Sequence, residues 1–293
     1  MENKLFFSVI IPSYNRANII KETIKSVQNQ LLENWECIVI DDGSTDNTKE
    51  IVEEISSEDV RVKYFYQLNA ERSAARNLGI KYASGEYICF LDSDDYYLSN
   101  HLEVLKEYIK KNNNPKGLFF VNHLMLSEGT EQKVESLTYN NSIDYFVQNS
   151  TIPVRVCIHK DVLKTNQFDP RIVIVEDSVL WTQIALNYPI FHIQEHTVVY
   201  RWHDDNSVNI KNNCFLPRLK GLKILFQDEN LKRVYSIKKQ RIAISNCYYG
   251  IAKHYAFKRK FFKMVQNIIL SLILDLKCKQ NKAKIYMIYE YFR

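Results

Sequence analysis

The sequence predicts an α/β protein, an open and mostly parallel sheet flanked by helices, followed by a helical appendage toward the C-terminal end. Three observations lead there. Over residues 1–125, apolar strand-like runs alternate with segments of helical period, the pattern of strand–helix–strand crossover units. The runs Phe7–Pro12 and Tyr87–Leu91 are continuously apolar, as strands covered on both faces by helices are. From Leu216 onward the pattern is helical, basic and almost free of glycine.

The elements follow in order. Phe7–Pro12 is the first strand, ended by its proline. A helix comes next: Asn18 can cap it, Glu22 sits in its first turn, and Ile20, Ile24, Val27 and Leu31 recur at helical spacing. Strand Glu36–Ile40 stops at Asp41-Asp42-Gly43-Ser44, where Ser44 or Asp46 can cap a helix over Thr48–Ile55. Val60, Val62 and Tyr64 alternate as a half-buried strand does. A helix over Glu71–Tyr82 has Ala75, Leu78 and Tyr82 on one side, with Gly79 allowing close approach to the sheet and Gly85 ending the element. Strand Tyr87–Leu91 delivers the chain into Asp92-Ser93-Asp94-Asp95, and helix His101–Lys111 and strand Leu118–Met125 complete this half. Residues 126–215 are more mixed, with strands near Val154–Ile158 and Thr197–Tyr200 and a helix over Ser178–Leu186.

At 293 residues, with 46% hydrophobic and 25% charged residues, the chain suits one large domain with an appended element. Its longest nearly apolar run, Met264–Leu276, contains Gln266, Asn267 and Asp275 and falls short of the roughly 20 apolar residues a membrane span needs. No signal-peptide pattern precedes the first strand, and six cysteines without a Cys-x-x-Cys pair read as free thiols of a reducing cytoplasm. The net charge of +5 divides unevenly. Residues 1–216 carry 21 basic and 30 acidic residues, whereas residues 217–293 carry 18 and 4, a local balance of +14. Such a segment suits a polyanionic partner, a nucleic acid or an anionic membrane surface.

The sharpest chemical signal is Asp92-Ser93-Asp94-Asp95, three carboxylates at the carboxyl end of an apolar strand, where open α/β sheets bind ligands. Their mutual repulsion calls for a positive partner, and a hard divalent ion, Mn²⁺ or Mg²⁺, that also bridges phosphate oxygens would offset it; an acidic turn capping the next helix is the plainer alternative. Asp41-Asp42-Gly43-Ser44 ends another strand on the same edge and is by itself an ordinary turn signal. Arg72, Arg76 and Asn77 on the intervening helix could then meet diphosphate charge. No Gly-x-Gly-x-x-Gly follows the first strand and no Gly-x-x-x-x-Gly-Lys occurs, which disfavours dinucleotide oxidoreductases and P-loop phosphotransferases.

Four stretches in this order resemble family 2 glycosyltransferases: Val9-Ile10-Ile11-Pro12-Ser13-Tyr14-Asn15-Arg16, Val39-Ile40-Asp41-Asp42-Gly43-Ser44-Thr45-Asp46, Ala74-Ala75-Arg76-Asn77-Leu78-Gly79 and Phe90-Leu91-Asp92-Ser93-Asp94-Asp95. The resemblance implies a GT-A fold, Rossmann-like, and an inverting enzyme dependent on a nucleotide diphosphate sugar. It implies that Pro12, Tyr14 and Arg16 line the nucleotide pocket, that Asp41 faces the base, and that Arg76 approaches the diphosphate. It further implies that Asp92, with Ser93 beside it, and Asp94 hold ribose and metal; Asp95 is an alternative ligand, because the family's aspartate-x-aspartate can be registered two ways here. Val175-Glu176-Asp177-Ser178 is similar to the family's Glu-Asp pair before an apolar helix, implying Asp177 as base. Tyr200-Arg201-Trp202-His203 is similar to its Tyr-Arg-x-His segment, implying His203 near metal or diphosphate. Gln167 departs from the family, whose members often have glycine before Phe-Asp.

The resulting expectation is a catalytic domain over 1–215, with nucleotide sugar bound mainly by 1–125 and acceptor by 126–215, and a basic helical region over 216–293. Its activity would be hexosyl or N-acetylhexosaminyl transfer from a UDP-sugar to a glycan or lipid-linked glycan in surface-polysaccharide assembly. Asp177, as general base, contributes roughly 10²–10⁴-fold. The rival is a non-catalytic protein that binds sugar nucleotides or polyanions. For 217–293, Phe261, Phe262, Val265, Ile268, Ile269, Leu272 and Leu276 follow helical spacing among lysines, which suits an anionic membrane face; packing on the domain or in a homo-oligomer is the alternative. Nucleic acid is not expected, since no reading motif accompanies the charge.

Overall fold

A computed structural model describes residues 6–138, 140–149, 151–203, 206, 213–276 and 281–291. Four strands form its parallel half. β1 (Phe7–Ser13) lies between β2 (Trp35–Asp42) and β4 (Tyr87–Phe90), and β3 (Val62–Gln67) flanks β2, all parallel. Every residue of β1, β2 and β4 is buried, the outcome that unbroken apolar runs foretell. Because these strands run together, the segments after Ser13, Asp42 and Phe90 emerge on one edge.

Helices α1 (Ile20–Gln28), α2 (Thr48–Glu58) and α3 (Glu71–Tyr82) make the crossovers. The termini differ in detail from the sequence reading. Ile19, not Asn18, occupies the cap of α1 and makes no side-chain bond, and Leu31 lies beyond the helix, exposed. Asp46 does hold the start of α2, accepting from the Thr48 amide at 3.1 Å. Val60 is outside β3 and exposed.

Beyond β4 the sheet becomes mixed. After the short β5 (Tyr96–Tyr97) and α4 (His101–Lys111) come β6 (Leu118–Ser127) and β7 (Thr130–Val134), then α5 (Ser142–Gln148), β8 (Val156–His159), α6 (Lys160–Leu163), α7 (Glu176–Ala185) and β9 (Ile190–Arg201). β8 is antiparallel to both β4 and β6, while β9 pairs parallel with β6 and antiparallel with β5. The order is β3-β2-β1-β4-β8-β6-β9-β5, with β7 beside β6. The expected mostly parallel sheet is therefore parallel in its first half, and β9 runs from Ile190, well before the Thr197 expected.

Helices α8 (Phe215–Leu225), α9 (Glu229–Val234), α10 (Ile237–Phe257), α11 (Phe261–Leu274) and α12 (Asn281–Glu290) follow. A division at 215/216 falls in the first turn of α8. Leu219, Leu222 and Leu225 share one apolar cluster with Val147, Ile172, Val175 and Val179, so this part of the basic region is packed into the body.

Two glycines fix helix and loop against β1. An added Cβ at Gly79 would stand 2.4 Å from Ile10 Cγ2, the close approach the sequence suggests. At Gly85 it would meet the Phe7 carbonyl carbon and Ser8 nitrogen at 2.6 Å, backbone that cannot turn aside. Gly85→Ala should therefore destabilise the chain by about 2 kcal/mol or more, within or above the usual overpacking range, read by urea denaturation.

Candidate active site

The three parallel strand ends and the segments facing them enclose a cleft of about 900 Å³. After β1 the chain turns at Asn15, whose φ of 52° is one that asparagine tolerates better than most residues. Its Oδ1 accepts from the Thr45 amide at 2.8 Å and its amide donates to Ser44 Oγ at 2.9 Å, lacing the β1 and β2 exits together. Pro12, Tyr14 and Arg16 line the cleft on this side, with Tyr14 half exposed.

The two acids ending β2 separate in role. Asp41 is buried beneath the wall, its Oδ1 accepting from the Ser44 amide at 2.8 Å and its Oδ2 from the Tyr64 hydroxyl at 2.7 Å. Asp42, not singled out from the sequence, is the one that lines the cleft, accepting from Gln67 Nε2 and the Ala70 amide. At Gly43, φ is +83° and an added Cβ would lie 2.8 Å from the Asn69 nitrogen.

The acidic motif after β4 also divides. Asp92, Ser93 and Asp94 face the cleft. Asp95 does not: fully buried, it accepts from the Arg201 amide at 2.9 Å, and burial, with the charges of Asp94 and Asp92, pushes its carboxyl well above the usual range. The alternative register that would make Asp95 a ligand thus points that carboxyl away from the cleft. Asp94 Oδ2 meets His203 Nε2 at 3.2 Å and Arg16 at 3.5 Å. Asp94 offers an oxygen and His203 a nitrogen of the kinds that divalent metal ions take as ligands. Among the described residues, no group of three or more His, Cys, Asp or Glu side chains is arranged to hold a metal.

Arg76 on α3 is fully buried and joins the two halves of the site. It donates to Asp92 Oδ1 at 2.6 Å and to Glu176 Oε1 at 2.8 Å, with its guanidinium carbon 5.2 Å from the Phe168 ring centre. Burial opposes its charge, and the Asp92 and Glu176 carboxylates outweigh that, raising its pKa. Asn77, expected to face diphosphate, instead brackets Phe168, accepting from its amide at 3.0 Å and donating to its carbonyl at 2.8 Å. Arg72 lines the cleft as expected.

Opposite stands α7. Val175, just before it, has φ 68°, a conformation that its branched side chain disfavours by about 1–3 kcal/mol. That turn sets Glu176 and Asp177 into the cleft wall. Asp177 accepts from the Ser178 amide at 2.5 Å. Burial, then the adjacent Glu176 charge, pushes its carboxyl up to about 7, against the pull of Ser178 and Arg76. Cys214, Phe215 and Arg218 line the same cleft from the start of α8, a contribution the sequence reading did not foresee. Trp181 is core, donating to the Thr151 carbonyl at 2.8 Å.

Parallel strand ends carrying acids and arginines around one cleft define an α/β fold of the GT-A class. Residues 8–160 match Glycosyl transferase family 2, and the chain belongs to that family. It is 32% identical over 97% of its length to an uncharacterised glycosyltransferase of Rickettsia conorii, of which it spans 43%. It is also 32% identical to the UDP-Glc:alpha-D-GlcNAc-diphosphoundecaprenol beta-1,3-glucosyltransferase WfgD of Escherichia coli, covering 84% of this chain and 94% of that protein. In fold it is similar to S. aureus TarS 1–349 in complex with UDP-GlcNAc, with TM-score 0.71 and 16% identity over 98% of this chain and 89% of the other. The mannosyltransferase PcManGT of Pyrobaculum calidifontis, solved with GDP-Man and Mn²⁺, gives TM-score 0.61 at 15% identity over 93% and 87%.

The ion triad yields a stability test. Arg76→Gln leaves Glu176 buried without its cation and should cost about 3–5 kcal/mol in urea denaturation. Adding Glu176→Gln should restore part of that loss, the mark of a shared interaction.

Proposed function

We propose that the chain transfers a sugar, with inversion, from a UDP-sugar to a hydroxyl of a lipid-linked glycan. The observation that carries this reading is Asp177, a buried carboxylate in the cleft wall with a pKa near 7, facing the strand edge that bears Asp92 and Asp94. The WfgD relative, whose name states a UDP-Glc donor and a diphosphoundecaprenol acceptor, supports the substrate class. The fold shared with TarS, solved with UDP-GlcNAc, is consistent with it.

In this reading Pro12, Tyr14, Arg16 and Asp42 surround the nucleoside, and Asp92 and Ser93 the ribose and diphosphate. Asp94 and His203 would hold a divalent ion, Mn²⁺ or Mg²⁺, whose charge offsets that of the departing diphosphate. Asp177 takes the proton of the acceptor hydroxyl as its oxygen bonds to the anomeric carbon. The bond from that carbon to the diphosphate oxygen breaks, and its electron pair leaves with UDP. One displacement inverts the centre. Arg76, held between two carboxylates, positions Asp92 and Glu176 more than it meets diphosphate.

Two experiments test the assignment. Asp177→Asn should lower kcat by about 10²-fold or more while donor affinity, from calorimetry with UDP, stays unchanged. Since the base must be ionised, wild-type kcat/KM should climb as pH rises through about 7 and level off above it, a limb the variant lacks. Near-normal turnover in Asp177→Asn would reduce the residue to a helix cap. Chelation should abolish turnover, and added Mn²⁺ or Mg²⁺ should restore it; Asp94→Asn should lose the metal-dependent part of UDP binding. Binding of UDP-sugar without UDP release in the presence of acceptor would favour the non-catalytic rival.

A further inference from the structure

The α10–α11 hairpin turns an unusual face outward. Toward α10, α11 buries Met264 and Ile268 but also Asn267 and Ser271. Ser271 and Ser245 exchange bonds there, each hydroxyl donating to the other's carbonyl at 2.8 Å. On the opposite side, Phe262 is 86% exposed, Ile269 50%, Ile273 58% and, just past the helix, Leu276 78%. Their spacing of seven, four and three residues holds them on one narrow line. The single apolar face expected from the sequence is thus two faces: Phe261, Met264, Val265, Ile268 and Leu272 pack inward, and Phe262, Ile269, Ile273 and Leu276 stand bare.

The corner before α11 adds charge to this line. Lys258, Arg259, Lys260 and Lys263 are all exposed, interleaved with Phe262 and the half-exposed Phe257. Lys258 and Lys263 lie 5.7 and 5.5 Å from the Phe257 and Tyr255 ring centres. Among the described residues, none of these four cations forms an ion pair with a carboxylate. The corner is fixed: Arg259 takes φ 52°, and the Arg259 and Lys260 amides donate to the Ala256 and Tyr255 carbonyls at 2.9 and 2.8 Å.

We propose that this corner and the outward line of α11 seat the chain on an anionic lipid bilayer, lying on its surface. Aromatic and aliphatic side chains entering the headgroup boundary among exposed cations are the chemistry such a surface accepts. No helix among the described residues is long and apolar enough to cross a membrane, so the contact is peripheral. A second copy is a poorer occupant, because a two-fold contact across this patch sets the same cations against one another. The transfer reaction proposed above gives the contact a purpose, a lipid-linked acceptor at that surface, but vesicle binding does not require it.

Flotation of the whole chain with phosphatidylcholine vesicles, with and without phosphatidylglycerol, tests this. The chain should float with the anionic vesicles alone, and binding should fade between 0.1 and 1 M salt as the screening length falls from about 10 to about 3 Å. Lys258→Gln, Lys260→Gln and Lys263→Gln should each lower partitioning about fivefold, and Phe262→Ser with Ile269→Ser should abolish flotation while UDP affinity in calorimetry is unchanged. A wild-type chain that stays at the bottom, or variants that float as well as it does, overturns the proposal. So does sedimentation velocity showing a dimer that Phe262→Ser with Ile269→Ser dissolves. UDP binding that persists without flotation would leave the transferase reading standing, and flotation without UDP binding would do the reverse.

Discussion

The chain of charge from Asp92 at the cleft through the buried Arg76 to the buried Glu176 is the constraint on which the site depends. It joins the exit of a parallel strand, a crossover helix and the first turn of α7, three pieces 16 and 100 residues apart in sequence from the arginine between them. Burying Arg76 and Glu176 away from water is costly, and their pairing with each other and with Asp92 offsets that cost. Here Glu176, ion-paired to Arg76, sits beside Asp177 in the cleft wall, where burial and the Glu176 charge raise the Asp177 pKa. A base near neutrality follows because burial and the adjacent Glu176 charge outweigh the pull of Arg76 and the Ser178 amide.

That anchoring is supported from outside. Val175 holds a left-handed conformation that a branched residue adopts only when its surroundings over-determine it. α8 supplies those surroundings: an added Cβ at Gly221 would come 2.8 Å from Val175 Cγ2, so the helix backbone lies directly on the strained turn. Gly250 in turn allows α10 to press on Phe215, which lines the cleft; an added Cβ there would meet its ring at 2.3 Å. The basic C-terminal region is therefore two things. α8 and α10 brace the cleft, and the α10–α11 corner presents a charged apolar surface to the outside.

Much of the fold was legible in residues whose pattern has a single physical meaning. Continuous apolar runs became buried parallel strands, and α3 and α4 took the bounds their periodicity implies. Pro12, Tyr14, Arg16, Arg76, Asp92, Ser93, Asp94 and Asp177 all reach one cleft. What could not be read was direction. In Asp41-Asp42 and Asp94-Asp95, neighbouring carboxylates are chemically alike, and the Tyr64 hydroxyl and Ser44 amide hold Asp41 inward as the Arg201 amide holds Asp95. Asn15 carried a local signal through its tolerance of positive φ, whereas nothing in Val175 announced one.

The sequence by itself determined the parallel sheet, the acids and arginines collected at its carboxyl edge and the charge gathered after residue 216, because periodicity and composition act over a few neighbouring residues. The tertiary structure alone decided that Arg76 pairs with Glu176, that α8 lines the cleft, and that α11 turns Asn267 and Ser271 inward and Phe262, Ile269 and Ile273 out. Each of these depends on a contact between segments distant in the chain, where burial and shape select among side chains that local pattern leaves equivalent.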